Sequence, residues 1–130
     1  MRFISTKMHA VMDYVMGILL IVVPLFWLGT QGVPEAAIWT PVVVGALMLL
    51  QSLITDYELS LANIIPMSGH LTMDALAGIV LAASPWLFGF ADTIWWPHVL
   101  LGLGEIGAAM TTQTRRGEPA RPVTGAPVQT

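Results

Sequence analysis

Apolar residues fill four stretches of this chain, running from about Met8 to Leu28, Ala36 to Thr55, His70 to Phe90 and Ile94 to Thr112. Each is about 20 residues, the length at which a helix crosses a hydrocarbon core of about 30 Å. Short polar turns with breaker residues separate the first stretch from the second (Gly29 to Pro34) and the third from the fourth (Ala91 to Thr93). A longer segment, Asp56 to Gly69, joins the two pairs, and its Leu59, Leu61, Ile64 and Ile65 suit a membrane surface. Pro66 and Ser68 mark the start of the third helix, as a first-turn proline and a cap. Residues 113–130 are poor in apolar side chains and predict a disordered tail. The pattern predicts an all-α membrane protein with four transmembrane helices, a hairpin over 8–55, a linker over 56–69 and a second hairpin over 70–112.

The hairpins resemble each other. Residues 9–24 recur at 70–85 without a gap, an offset of 61 (70 − 9 = 61) that places His9, Met12, Asp13, Gly17 and Pro24 on His70, Met73, Asp74, Gly78 and Pro85. Leucine matches are cheap in an apolar run, but a His, an Asp and a Pro at one spacing indicate tandem duplication. In the second helices, Trp39, Val42 and Gly45 fall on Trp96, Val99 and Gly102 once the loop is shortened by four residues. Two spans per unit send both copies into the bilayer in one direction, so the expected symmetry is a pseudo-twofold axis along the membrane normal. Small residues four apart, Gly78 with Ala82 and Gly104 with Ala108, predict close helix packing in a four-helix bundle.

Charge sets the expected orientation. The chain is 55% hydrophobic and only 10% charged, and its basic residues are Arg2, Lys7, Arg115, Arg116 and Arg121, all outside the apolar stretches. They flank the start of the first span and the end of the fourth, which predicts both termini in the cytoplasm. Trp27, Trp39, Trp86, Trp95 and Trp96 then fall together at the outer interface. No small-x-small cleavage site follows the first span, so it reads as part of the fold rather than a signal peptide. A net charge of −3 without a basic face argues against nucleic acid as a partner. The absence of cysteine excludes disulfides, thiolate metal sites and cysteine nucleophiles.

The candidate chemistry lies inside the apolar stretches. His9 with Asp13, and His70 with Asp74, are four apart, which puts each pair on one helix face. Ionisable groups within a span are expensive unless paired or wet, so they are functional suspects. If the axis brings the pairs together, two imidazoles and two carboxylates form a set suited to Zn²⁺, Mn²⁺ or Fe²⁺, or to proton relay. The plainer reading is structural: an Asp in the first turns gains from free backbone N–H groups and its local His. Glu105 is the one carboxylate on the fourth stretch, opposite Met48 in the repeat alignment. With Gln51 it extends the candidate layer to His9, Asp13, Gln51, His70, Asp74 and Glu105. Pro24 and Pro85 free the carbonyls of Leu20 and Leu81, and Ser84 is placed to relieve one of them. His98 lies toward the outer interface, away from the other histidines.

Ser84-Pro85-Trp86, preceded by His70, Asp74 and Gly78 at four-residue spacing and followed by Leu87 to Phe90, resembles the SPW repeat family of small bacterial and archaeal membrane proteins. The resemblance spans about residues 8–112 and implies two-helix repeats with the motif in the first helix of each, in a bacterial or archaeal cytoplasmic membrane. The first copy reads Val23-Pro24-Leu25 and keeps only the proline. No activity comes with the resemblance. The leading expectation is a non-enzymatic structural or assembly partner, with the lipid bilayer, a second copy or another membrane protein as its surroundings and no cofactor. The alternatives are a proton, cation or small-solute pathway through the polar layer, and a metal- or haem-binding protein using His9, Asp13, His70 and Asp74. No nucleophile motif and no extramembrane domain point to an enzyme.

Overall fold

Four helices carry most of residues 1–117, the part of the chain that the computed structural model describes: α1 (Thr6–Phe26), α2 (Glu35–Leu53), α3 (Met67–Leu87) and α4 (Trp96–Thr111). Among the described residues there is no strand, only two isolated parallel bridges, Ile4 with Thr112 and Thr55 with Ile65. α1 starts earlier than the apolar run because the Ser5 hydroxyl accepts from the Met8 N–H at 3.2 Å. α3 starts at Met67 with Pro66 in the cap position, so Ser68 sits inside the first turn rather than capping it. α1, α2 and α3 are each long and apolar enough to cross a membrane. α4 has 16 residues and rises about 24 Å, shorter than the 94–112 stretch. Ile94 and Trp95 belong to the turn before it, and Thr112 leaves the helix in extended conformation.

The cross-section is apolar outside and polar inside. Leu47, Leu76, Leu100 and Met110 face outward, while His9, Asp13, Gln51, Ser52, His70, Asp74 and Glu105 are buried. An apolar rim and a paired polar interior suit a bilayer, where lipid solvates neither charges nor free backbone groups.

Glycines set the approach of the helices within each hairpin. A Cβ on Gly45 would lie 2.7 Å from the Gly17 carbonyl oxygen, and one on Gly78 would lie 2.7 Å from that of Gly102. A Cβ on Gly102 would collide with the Gly78 carbonyl and with Ala82. Backbone thus meets backbone, as small residues permit where lipid supplies no hydrophobic drive. Gly104 is not at this interface: a Cβ there would meet nothing within 4 Å. The close face of α4 is two residues out of phase with the expected Gly104–Ala108 pair.

Prolines inside helices leave carbonyls that the structure answers individually. Pro85 withholds the N–H that would reach Leu81, and Ser84 Oγ donates to the Leu81 carbonyl at 2.7 Å instead. In α2, Pro41 likewise strands the Ala37 carbonyl, which accepts from His98 Nε2 of α4 at 2.9 Å. His98 is therefore a buried tie between the hairpins, not a residue resting at an interface.

The ends close against each other. The Gln113 N–H donates to the Ile4 carbonyl at 2.9 Å, and Arg116 pairs with Asp56. Residues 113–117 are accordingly tied down where a free tail was expected, and the remainder of that tail, 118–130, lies outside the described residues. Replacing Gly102 by Ala is expected to destabilise the detergent-solubilised protein by about 1–3 kcal/mol, the usual cost of overpacking. Gly104→Ala should leave the thermal melt unchanged.

A candidate intramembrane metal centre

A four-residue spacing stacks His9 over Asp13 on α1 and His70 over Asp74 on α3, and both pairs turn inward at the same end of the molecule. All four side chains are at most 2% exposed. The contacts cross between the helices as well as running along them. His9 Nε2 lies 3.3 Å from Asp13 Oδ1 and 3.0 Å from Asp74 Oδ2. His70 Nε2 lies 3.0 Å from Asp13 Oδ2 and 3.0 Å from Asp74 Oδ2. One donor atom from each residue falls within 4.8 Å of all the others. The rings meet edge to face, their centroids 5.4 Å apart.

Two threonines fix which imidazole nitrogen faces the centre. Thr112 Oγ1 donates its only proton to the Ala108 carbonyl at 2.7 Å, so toward His9 it can only accept, and His9 Nδ1–H donates to it at 2.9 Å. Thr55 Oγ1 donates to the Gln51 carbonyl at 2.8 Å and accepts from His70 Nδ1–H at 2.7 Å. Each Nδ1 therefore carries a proton, and each Nε2 in the neutral ring presents a lone pair inward. Lone pairs facing two carboxylates at about 3 Å repel them. Such contacts are relieved by protons on the imidazoles or on a carboxyl group, or by one divalent cation.

The two histidines differ here: His9 Nε2 makes a hydrogen bond with Asp74 Oδ2 at 3.0 Å, as a shared proton would give, and His70 Nε2 does not. Although His70 Nε2 is 3.0 Å from two carboxylate oxygens, neither lies along its N–H axis, and it makes no hydrogen bond. Asp13 Oδ2 is buried and equally without a hydrogen-bond partner. Both atoms are close to each other, at 3.0 Å, without being hydrogen-bonded. Gln51 Nε2 donates to Asp74 Oδ1, holding that carboxylate from behind.

The structure gathers five of the six candidate layer residues, His9, Asp13, Gln51, His70 and Asp74, into one connected site. Glu105 is buried beside Gly78, but it makes no hydrogen bond with the other five. The Ser84-Pro85-Trp86 motif lies at the far end of α3, about 24 Å along the helix from His70. There Ser84 serves the backbone, while Trp86 is half exposed and stacks near Trp95. Among the described residues, no ionisable side chain bridges that end to the centre; His98 is occupied with Ala37.

Sequence reasoning missed Thr55, Thr112 and Tyr57. The threonines recur at an offset of 57 (112 − 55 = 57), the same offset that aligns Trp39 with Trp96, so the signal was present. Tyr57 has Thr114 at its aligned position and left no such trace. It is 1% exposed, and its ring centroid lies 5.5 Å from that of His70. A double-mutant cycle between His9→Ala and Asp74→Ala should return a coupling energy of about 0.5–3 kcal/mol in chemical unfolding. Strictly additive losses would mean that the two helices do not share a charge network.

No curated relative and no solved structure matches the chain. The family model described as the SPW repeat domain matches residues 7–112, from the start of α1 through the threonine that holds His9. The chain belongs to the SPW repeat domain family.

Proposed function

We propose that this protein is a non-enzymatic, multi-pass membrane protein that binds one divalent transition-metal ion between α1 and α3. The observation that carries the reading is the convergence of His9 Nε2, Asp13, His70 Nε2 and Asp74 within 4.8 Å, with both Nδ1 atoms committed to threonines. A dication with two carboxylates and two neutral imidazoles is electrically balanced, which an apolar interior demands. Two nitrogens and two oxygens, with no thiolate, suit Zn²⁺, Mn²⁺ or Fe²⁺. Metal bonds of about 2.0–2.2 Å in a tetrahedron separate donors by about 3.3–3.6 Å. Asp74 Oδ2 lies 3.0 Å from both Nε2 atoms, close to that edge, while Asp13 approaches them with different oxygens at 3.3 and 3.0 Å. Thr55, Thr112 and Gln51 form the outer shell that orients such ligands. A haem fits poorly, because carboxylate oxygens stand 3.0–3.3 Å from both Nε2 atoms, where a macrocycle would have to pass.

In this reading the chain is a tandem duplication with a pseudo-twofold axis through the centre. Several paired features support it. The bridges Ile4–Thr112 and Thr55–Ile65 correspond under the repeat alignment, as do the glycine contacts Gly17–Gly45 and Gly78–Gly102. So do the two histidine–threonine bonds, each made between hairpins. α4 completes four spans, with both termini and the metal centre toward the cytoplasm, because the basic residues cluster there and the tryptophans lie opposite.

Protein purified in mild detergent is expected to hold one metal ion per chain by elemental analysis, and His9→Ala/His70→Ala none. Folded wild-type protein that takes up no ion from Zn²⁺, Mn²⁺ or Fe²⁺ solutions would refute the reading. Thr55→Val should retain the site but weaken it by about 10–100-fold in competition titration. For topology, the chain has no native cysteine. Single cysteines at Arg2 and Arg116 should react with an impermeant maleimide only in inside-out vesicles, and one at Gln31 only in right-side-out vesicles.

A further inference from the structure

An ion held by His9, Asp13, His70 and Asp74 has no open way in. All four side chains are at most 2% exposed, so an ion reaches them only if something moves. The helix lengths indicate from which side. His9 and His70 are the fourth residues of α1 and α3, about one turn from the helix starts, whereas about 20 Å of helix separates Asp13 and Asp74 from the other ends. The short way is closed by an apolar cluster: Ala10 of α1, Met67 and Leu71 of α3, Ala109 of α4 and Tyr57 of the connecting segment. Four of the five are fixed on helices. Tyr57 is not.

Tyr57 fills its place without being bonded into it. It is 1% exposed and its ring centroid lies 5.5 Å from that of His70, yet its hydroxyl is buried with no hydrogen-bond partner. A hydroxyl in that state costs free energy that water returns once the ring swings out. Apolar burial of the ring is thus opposed by an unmet polar group, the balance expected of a plug that moves. The segment that carries it is anchored at both ends. The Asp56 N–H donates to the Ile65 carbonyl at 2.8 Å, the Ile64 N–H to the Ile54 carbonyl at 2.9 Å and the Leu61 N–H to the Leu53 carbonyl at 2.8 Å. Between these anchors, two side-chain bonds tie residues 57–60 to α1: Thr6 Oγ1 donates to Glu58 at 2.8 Å, and Tyr14 Oη donates to the Leu59 carbonyl at 2.8 Å. Glu58 and Leu59 are exposed, so water replaces both bonds at little net cost. Such a segment opens well below the free energy of global unfolding.

We propose that the metal ion enters and leaves the centre at the end where α1 and α3 begin, and that Tyr57 is the plug of this passage, swinging out with residues 57–60 while the helices stay in place. The inference rests on the metal-binding reading above and deepens it: the centre exchanges its ion with water on one side instead of sealing it in. Tyr57 governs the rate of exchange and not the affinity, because it covers the loaded and the empty centre alike.

The test uses full-length protein in detergent loaded with Co²⁺, whose d–d bands report coordination. Their decay in excess EDTA, at a rate independent of EDTA concentration, reads release, and competition titration reads affinity. Tyr57→Phe removes only the unmet hydroxyl, favours the closed plug, and should slow release about fivefold or more. Tyr57→Ala removes the plug and should quicken release about fivefold or more. Both variants should keep the wild-type spectrum and dissociation constant, loading being slowed or quickened by the same factor as release. Equal release rates in all three proteins would place the passage elsewhere, overturning the inference while the metal reading stands. Faster release from both variants, or a changed affinity at an unchanged loading rate, would make Tyr57 a packing residue of the site and overturn it too. Absence of any Co²⁺ spectrum in folded wild-type protein would overturn both readings. Should Tyr57→Ala fail to fold, Tyr14→Phe/Glu58→Ala loosens the segment from outside. Release about fivefold faster at constant affinity then supports the passage, and an unchanged rate overturns it.

Discussion

The structure turns on charge balance at one buried point. Asp13 and Asp74 bring two negative charges into an interior whose other walls are largely apolar, and two imidazoles stand about 3 Å away. In low dielectric, neither carboxylate is tolerable alone, and removing one partner of such a set exposes the rest. The two hairpins are thereby obliged to meet where they do. Within each hairpin, packing comes from glycine backbone contact, which is close but carries no charge. Between hairpins, the polar centre at one end and the His98–Ala37 bond toward the other supply the specific ties.

Helices in lipid cannot lean on a hydrophobic drive, so defects in the backbone ladder become contacts. Pro41 and Pro85 illustrate two ways of using the same defect. Ser84 resolves the Leu81 carbonyl within its own helix, so the repair concerns α3 alone. Thr40 stands in the same place before Pro41, but its hydroxyl donates to the Ala36 carbonyl, and the Ala37 carbonyl is answered by a ring nitrogen from α4. The aligned partner of Pro41 is His98 itself, so in this proposed duplication one copy carries the defect and the other its remedy.

Much of this was legible in the chain before any coordinates. The helices are, because their apolar lengths match a bilayer and their turns carry Gly and Pro. The His–Asp pairs are, because a spacing of four fixes a shared helix face whatever the tertiary structure does. The crossing of the pairs is not: that His9 reaches Asp74 and His70 reaches Asp13 depends on the distance between α1 and α3. The phase of α4 also escaped, since Gly102 and Gly104 are equally small and only the rotation of the helix chooses between them. Glu105 shares the layer's buried interior, but whether it bonds to the other five depends on side-chain reach, which depth along a helix does not give. Tyr57 was invisible for a third reason, because it enters from a connecting segment with no periodicity to read.

The hydrogen bond from His9 to Thr112 spans 103 residues of sequence. During synthesis, the first hairpin enters the membrane with His9 and Asp13 already buried, but the hydroxyl that orients His9 is among the last residues of the fold to be made. His70 is better served, for Thr55 precedes it and waits on the finished hairpin. Assembly of the centre therefore has a direction in time: the later histidine meets a prepared socket, and the earlier one stays unoriented until the ribosome has passed α4. A chain truncated before Thr112 would leave His9 without the hydroxyl that orients it.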